Sequence, residues 1–166
     1  MYIHNDRFAK DGTKAEEVFA ALLIKDGYKV TMGTFHNQMN HVDLWAEKAG
    51  QKFSFDVKSA KRLNRSGEVQ HDYIWCELIS IRGEKGWAFA PMVMYIAFEG
   101  EKEFIVVHRK KLADFLVKTV NLKKIANKAE DALYCKYQRK NRLDSLTLIK
   151  REDIEKLAKK RYPKVS

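Results

Sequence analysis

Apolar residues recur along this chain in two rhythms. Ala15, Val18, Phe19, Leu22 and Leu23 fall on one stripe of a helix, and the spacing predicts a helix from about Thr13 to Asp26, ended by Gly27. From residue 28 the period drops to two. Strands are predicted near 28–33, 41–47 and 52–58 and, after a polar loop from Lys61 to Gln70, near 73–82. A turn at Gly83–Gly86 precedes a strand near 93–99, and a hairpin at Gly100 leads to one near 103–108. Leu112, Phe115, Leu116 and Val120 return to helical spacing. A basic helical stretch is expected over about 122–133, a strand from Leu143 to Ile149, and a closing helix from Glu152 to Arg161. Helices flanking a mixed or mostly antiparallel sheet make a layered α/β domain.

The run from His41 to Lys58 is the most informative. If Ala49-Gly50 is a two-residue turn, residue i faces residue 99 − i, so Asp43 stands opposite Asp56 and His41 opposite Lys58. The other face of the ribbon becomes Val42–Val57, Leu44–Phe55 and Ala46–Phe53, which is wholly apolar. A slip of one residue would mix that face and separate the aspartates, so the core favours this register. Facing side chains lie roughly 4.5–5.5 Å apart and like charges there repel. A cation between Asp43 and Asp56 would relieve that repulsion. Ala-Gly is a weaker hairpin turn than Asn-Gly or Asp-Gly.

With 166 residues and 45% apolar content, the chain is expected to form one domain, residues 1–166, with a real core. The net charge of +10 is uneven. Residues 1–100 hold 13 Lys/Arg and 13 Asp/Glu, whereas residues 101–166 hold 19 against 9. A basic face of that kind suits a polyanion such as nucleic acid, and it also serves as a solubilising surface. Cys76 and Cys135 form neither a disulfide framework nor a Cys-x-x-Cys pair, which suggests a reducing compartment. The N-terminus lacks a signal-peptide layout, and the longest apolar run, Trp87 to Phe98, is too short to span a bilayer. The expectation is a soluble, intracellular, cytoplasmic protein that makes no use of a membrane.

Asp43, Asp56 and Lys58 therefore converge on one face. Mg²⁺ prefers carboxylate oxygens, and two carboxylates plus a phosphate oxygen suit it. Lys58 could position water or stabilise charge on a phosphate. The plain alternative is an exposed strand face with an Asp–Lys salt bridge. The pattern of Asp43, then Asp56-Val57-Lys58, with an upstream helical glutamate, resembles the PD-(D/E)XK nuclease superfamily, although Val42 stands where that family often has proline. Lys-Ala-Glu16, a helix, then Gly27-Tyr28-x-Val30 also resembles archaeal Holliday-junction resolvases of the same superfamily. The resemblance covers residues 12–62. It implies a three-layer restriction-endonuclease-like α/β fold, a mixed β-sheet flanked by helices, that hydrolyses DNA phosphodiesters with Mg²⁺ or Mn²⁺. By family habit it also implies a homodimer of junction-resolving, repair or phage type. Asp43, Asp56 and Glu16 would hold the metal, and Lys58 would complete the catalytic set.

The helix glutamate is Glu16 or Glu17. Glu16 lies about 90° from the centre of the core stripe and reaches the sheet edge, while Glu17 lies about 170° away and points to water. Thr13-Lys-Ala-Glu16 is also a capping-box pattern, which would occupy the same side chain differently. Lys61, Arg62 and Arg65 follow the site strand, and Arg139, Lys140 and Arg142 stand in the basic half. These six are candidate phosphate contacts, or ordinary charged loop residues. His41 is a candidate at the site or an incidental histidine. Trp75 and Trp87 could stack on bases or fill a core. Two other readings stay open. One is a non-catalytic nucleic-acid-binding protein on a nuclease-like fold. The other is a sequence-specific restriction-type endonuclease.

Overall fold

Helix α1, Asp6–Lys25, ends where the chain turns left-handed at Gly27, with φ of 92°. The Gly27 N–H donates to the Ile24 carbonyl and the Tyr28 N–H to the Leu23 carbonyl, both at 3.0 Å. This is the paired closure that a glycine one position past a helix end permits without a side-chain clash. The computed structural model describes residues 6–63 and 67–165, with side chains from residue 11 onward.

After α1 come β1 (Lys29–Met32), α2 (Phe35–Met39), β2 (Leu44–Lys48), β3 (Gln51–Lys58) and β4 (Tyr73–Ile79). A 3₁₀ turn at Trp87–Phe89 precedes β5 (Tyr95–Glu99), β6 (Glu103–His108), α3 (Arg109–Thr119) and β7 (Asn121–Ala126). A second 3₁₀ turn, Ala129–Asp131, leads to β8 (Cys135–Gln138), β9 (Ser145–Lys150), α4 (Arg151–Lys156) and β10 (Ala158–Pro163). The expected mixed α/β architecture is present, with its strands divided between two mixed sheets. One sheet has the order β1-β2-β3-β5-β6-β10 and the other β4-β9-β8-β7.

The chain forms two compact units. The first holds the described residues up to Ser59, Met92–Val106 and the chain from Lys160 onward. In it α1 lays its apolar stripe on one face of the six-stranded sheet. Phe19 is fully buried, with its ring 5.4 Å from Phe55, 5.2 Å from Phe104 and 5.7 Å from Tyr162. Burial of such a ring contributes about 1.5–3 kcal/mol. Leu23, Leu44, Ala46, Val57 and Ala97 complete this core. β2 and β3 pair antiparallel as Leu44↔Phe55, Trp45↔Ser54 and Ala46↔Phe53, the expected register. Ala49 and Gly50 both take positive φ, 52° and 75°, as a tight hairpin turn requires. β3 then pairs parallel with β5, Asp56 standing beside Ile96.

The second unit holds Ala60–Pro91 and Val107–Lys159. β9 pairs antiparallel with both β4 and β8, and β7 lies parallel to β8. Trp87 is buried, so the base-stacking alternative does not apply to it. Trp75 is half-buried, 5.4 Å from the Tyr137 ring, and donates its indole N–H to the Arg62 carbonyl at 3.2 Å.

Two expected helices are corrected. Residues 122–133 hold most of β7 and a 3₁₀ turn, and the expected 152–161 helix stops at Lys156, giving way to β10. Both segments are rich in lysine and short of a buried stripe, and they join sheets, the first beside β8 and the second beside β6. Ladder pairing overrides weak helical preference there. Cys76 and Cys135 are both buried, and neither is in a disulfide. Among the described residues no helix is long and apolar enough to cross a membrane.

Candidate active site

Asp43 sits one residue before β2, at the point where a compact loop closes. The Gly33 N–H donates to its carbonyl at 2.7 Å, and its own N–H donates to the Phe55 carbonyl at 2.8 Å. Its carboxylate Oδ2 accepts the Val57 N–H at 2.7 Å. The β2–β3 pairing ends at Leu44↔Phe55, and it is the Val57 N–H bond to its carboxylate that holds Asp43 against β3 near Asp56. The two carboxyls are close enough that repulsion from Asp56 is the second cause, after burial, of the high Asp43 pKa.

Asp56 is 1% exposed. Lys58 Nζ pairs with its Oδ1 at 2.9 Å, while its Oδ2 is buried with no hydrogen-bond partner. Burial raises the Asp56 pKa, and the Lys58 ammonium works against that rise. Asp43 is pushed up to about 7 by burial and by Asp56. Glu16 on α1 is also pushed up to about 7, first by burial and then by Asp43, with Lys58 opposing. Glu16, Asp43, Asp56 and Lys58 thus share one electrostatic neighbourhood within the first unit.

The chemistry of the Asp43–Asp56 pair suits a hard divalent cation. An orphaned, buried carboxylate oxygen beside a second carboxylate is what such an ion satisfies, and carboxyls held near neutrality are what its charge would ionise. Among the described residues no group of three His, Cys, Asp or Glu forms a ready-made cage. Mg²⁺ usually takes one or two carboxylates and completes its shell with water and phosphate oxygens.

The raised pKa values have a consequence for stability without metal. In the unfolded chain Asp43 and Glu16 lose protons near their ordinary values of 3.8 and 4.5, but in the folded protein they keep them to about 7. Between those limits the folded state binds more protons, so its stability falls as pH rises. In EDTA, the melting temperature of wild type relative to Asp43→Asn is expected to decline from about pH 3.8 to about pH 7 and then level off. A flat difference curve would contradict the buried carboxyl pair. The difference curve also removes His108, whose lowered pKa acts in the opposite direction.

Several expectations change. His41 takes a left-handed φ of 65° in the turn after α2, so it lies outside the strand and does not face Lys58 across the hairpin. Thr13 lies inside α1, so the Thr13–Glu16 capping box does not form. The capping box that does exist is Thr34 with Asn37 at the start of α2, missed because asparagine stands where the pattern has Glu or Gln. Gly33 was missed too. Its role lies in backbone contact, which no side-chain motif reports.

The candidate phosphate contacts stand in the second unit, except Arg65, which lies outside the described residues. Lys61 is exposed, and Arg62 spends one N–H on the Gly67 carbonyl at 3.0 Å. Arg139 is salt-bridged to buried Asp144, so it braces its own turn. Lys140 and Arg142 are exposed and line an open cavity of about 560 Å³ with Ile125, Asn127 and Gln138.

No protein-family model matches the chain, and no curated protein matches it. Among solved structures it is similar to a bacterial homing endonuclease, I-Ssp6803I, with a TM-score of 0.50 over 65% of this chain and 73% of that one, at 13% identity. At that identity the likeness is one of architecture: the chain has a mixed α/β fold like that of a nuclease.

Proposed function

We propose that the chain is a metal-dependent DNA endonuclease of the PD-(D/E)XK type. The observation that carries this is the Asp43–Asp56 pair with Lys58 at 2.9 Å from one carboxylate and an unpartnered oxygen on the same group. The plain salt-bridge alternative would need no second buried acid beside the first. Asp43, Asp56 and Glu16 would hold Mg²⁺ or Mn²⁺. Such an ion supplies positive charge that neutralises a phosphodiester and acidifies water.

The chain's own groups do the rest. Asp43 is aimed by the Val57 and Gly33 backbone contacts, so its carboxylate needs no reorganisation on binding. Lys58 is held against Asp56, where its ammonium can orient the attacking water in line with phosphorus or stabilise charge on the phosphate oxygens. Exposed Lys61, Lys140 and Arg142 would contribute salt-sensitive backbone contacts. The size of the chain and its family resemblance favour structure-specific cutting by a homodimer.

The test uses supercoiled plasmid, linear duplex, single strands and four-way junctions, each with Mg²⁺ or EDTA. Cleavage of at least one DNA with Mg²⁺, none in EDTA, and a loss of roughly 10²-fold or more in Lys58→Ala is the expected result. Binding without cutting on every substrate, or undiminished cutting by Lys58→Ala, would remove the catalytic assignment.

A further inference from the structure

The loop from Gly33 to Asp43 has an apolar tip that neither the fold nor the carboxylate site uses. Its ends meet through the Gly33 N–H to Asp43 carbonyl bond at 2.7 Å, and the Val42 N–H donates to the Asn37 carbonyl at 2.9 Å inside it. Thr34 caps α2, and the Trp45 indole N–H reaches Asn37 Oδ1 at 3.4 Å. A short loop closed and braced in this way is ordered and moves with the residue that closes it. Here that residue is Asp43.

This braced loop holds large apolar side chains in water. Phe35 is 79% exposed and Met39 45%, and their spacing of four puts them on one face of α2. Met32, just before the loop, is 45% exposed. The surroundings select the occupant. Residues 27–42 contain one charged side chain, Lys29, which stands opposite Glu47, and Asp43 closes the loop. The loop closes on Asp43, so the molecule nearest this face is the DNA that the proposed carboxylate site would hold, which favours a duplex over a second copy. Exposed His36 and Gln38 add groups that pair with base edges.

Reach follows from chain geometry. Phe35 is two residues from Gly33, whose N–H touches the Asp43 carbonyl, so the Phe35 Cα lies within roughly 12 Å of Asp43. That is about three or four base-pair steps along a duplex.

We propose that Phe35 is a wedge that enters the stack of a DNA duplex within a few steps of the phosphate held at Asp43 and Asp56, with Met39 covering its flank. The idea rests on the nuclease reading. Apolar side chains inserted between base pairs unstack the step and bend the duplex, most readily at pyrimidine–purine steps. Such bending would select substrates by deformability, as a structure-specific enzyme requires.

The experiment is permanganate oxidation of an end-labelled duplex rich in TA steps, bound in EDTA so that cleavage plays no part. Wild type is expected to expose thymines to oxidation. Phe35→Ala is expected to lose that signal and to bind about tenfold more weakly. Phe35→Trp should keep the signal. Phe35 is so exposed that neither change threatens the fold, and equal melting temperatures would verify this. DNA binding by wild type with no thymine exposure would overturn the wedge and leave the nuclease reading intact. So would an altered sedimentation mass in Phe35→Ala with the oxidation pattern unchanged, since the face would then join copies. Absence of DNA binding would overturn both.

Discussion

Asp56→Asn is expected to be inactive and more stable than wild type. Asp56 is 1% exposed, and burial raises its pKa, so its charged form sits in an unfavourable setting. Asparagine has nearly the same shape and no charge. Lys58 loses its partner, but its side chain is 25% exposed and reaches water. The net change in EDTA at pH 8 should be stabilising, about 1 kcal/mol, or roughly 2–4 °C in a chain of this size. The sign follows from linkage. A carboxyl whose folded pKa is raised destabilises the fold increasingly as pH climbs above the unfolded value, so the gain should vanish in acid. Cleavage should fall by roughly 10²–10³-fold or more, because the variant removes a preorganised charge at the reacting phosphate. The measurements are thermal melts at pH 4 and pH 8 and plasmid nicking with Mg²⁺. A variant that cuts like wild type would end the case for a metal ligand. One less stable at pH 8 would show that Asp56 is there for the fold. A stabilising, inactivating change is the mark of a residue retained for function.

Gly33→Ala is expected to damage the same site without touching any charged group. A Cβ at position 33 would lie 2.5 Å from the Val42 carbonyl oxygen and 3.0 Å from that of Asp43. Both are backbone atoms and cannot swing aside, so the loop must open. The Gly33–Asp43 bond lengthens, and Asp43 shifts relative to Asp56. Crowding of this kind costs about 1–3 kcal/mol. The catalytic loss should be larger than the stability loss suggests, because a displacement near 1 Å can cost about 10²-fold in rate. Cleavage assays beside denaturant melts check this. The same rate as wild type with a normal melt would mean that the loop does not set the position of Asp43. Gly50→Ala serves as the comparison, since a Cβ there meets open space. It alters the hairpin turn through its positive φ alone.

The amino-acid pattern already contained the hairpin. Leu44–Phe55 and Ala46–Phe53 make a continuous apolar face in one register only, and the six-stranded sheet uses it against Phe19 and Leu23. The helix end at Gly27 was equally legible, since a left-handed residue there is a local backbone demand. Asp56 and Lys58 share a face because alternation along a strand is a short-range rule, while Asp43 joins them from the residue before β2 through its bonds to Phe55 and Val57. The stripe of α1 separated Glu16 from Glu17 for the same reason, and it is Glu16 that Asp43 and Lys58 perturb.

Other features depended on partners far away in sequence. Asn121–Ala126 is exposed along most of its length and has no periodicity that marks a strand, yet it pairs parallel with β8. Lys160 lies where a closing helix was expected and Tyr162 just past it, and both reach Asp26 from β10. His41 left the strand because the turn after α2 demanded a left-handed residue there. Local alternation and glycine chemistry are written in neighbouring residues, so the chain alone determined the hairpin and the helix that covers it. Edge pairing, the loop that locks Asp43, and the burial that lifts its pKa arise from atoms brought together only by folding, and so the tertiary structure decided them.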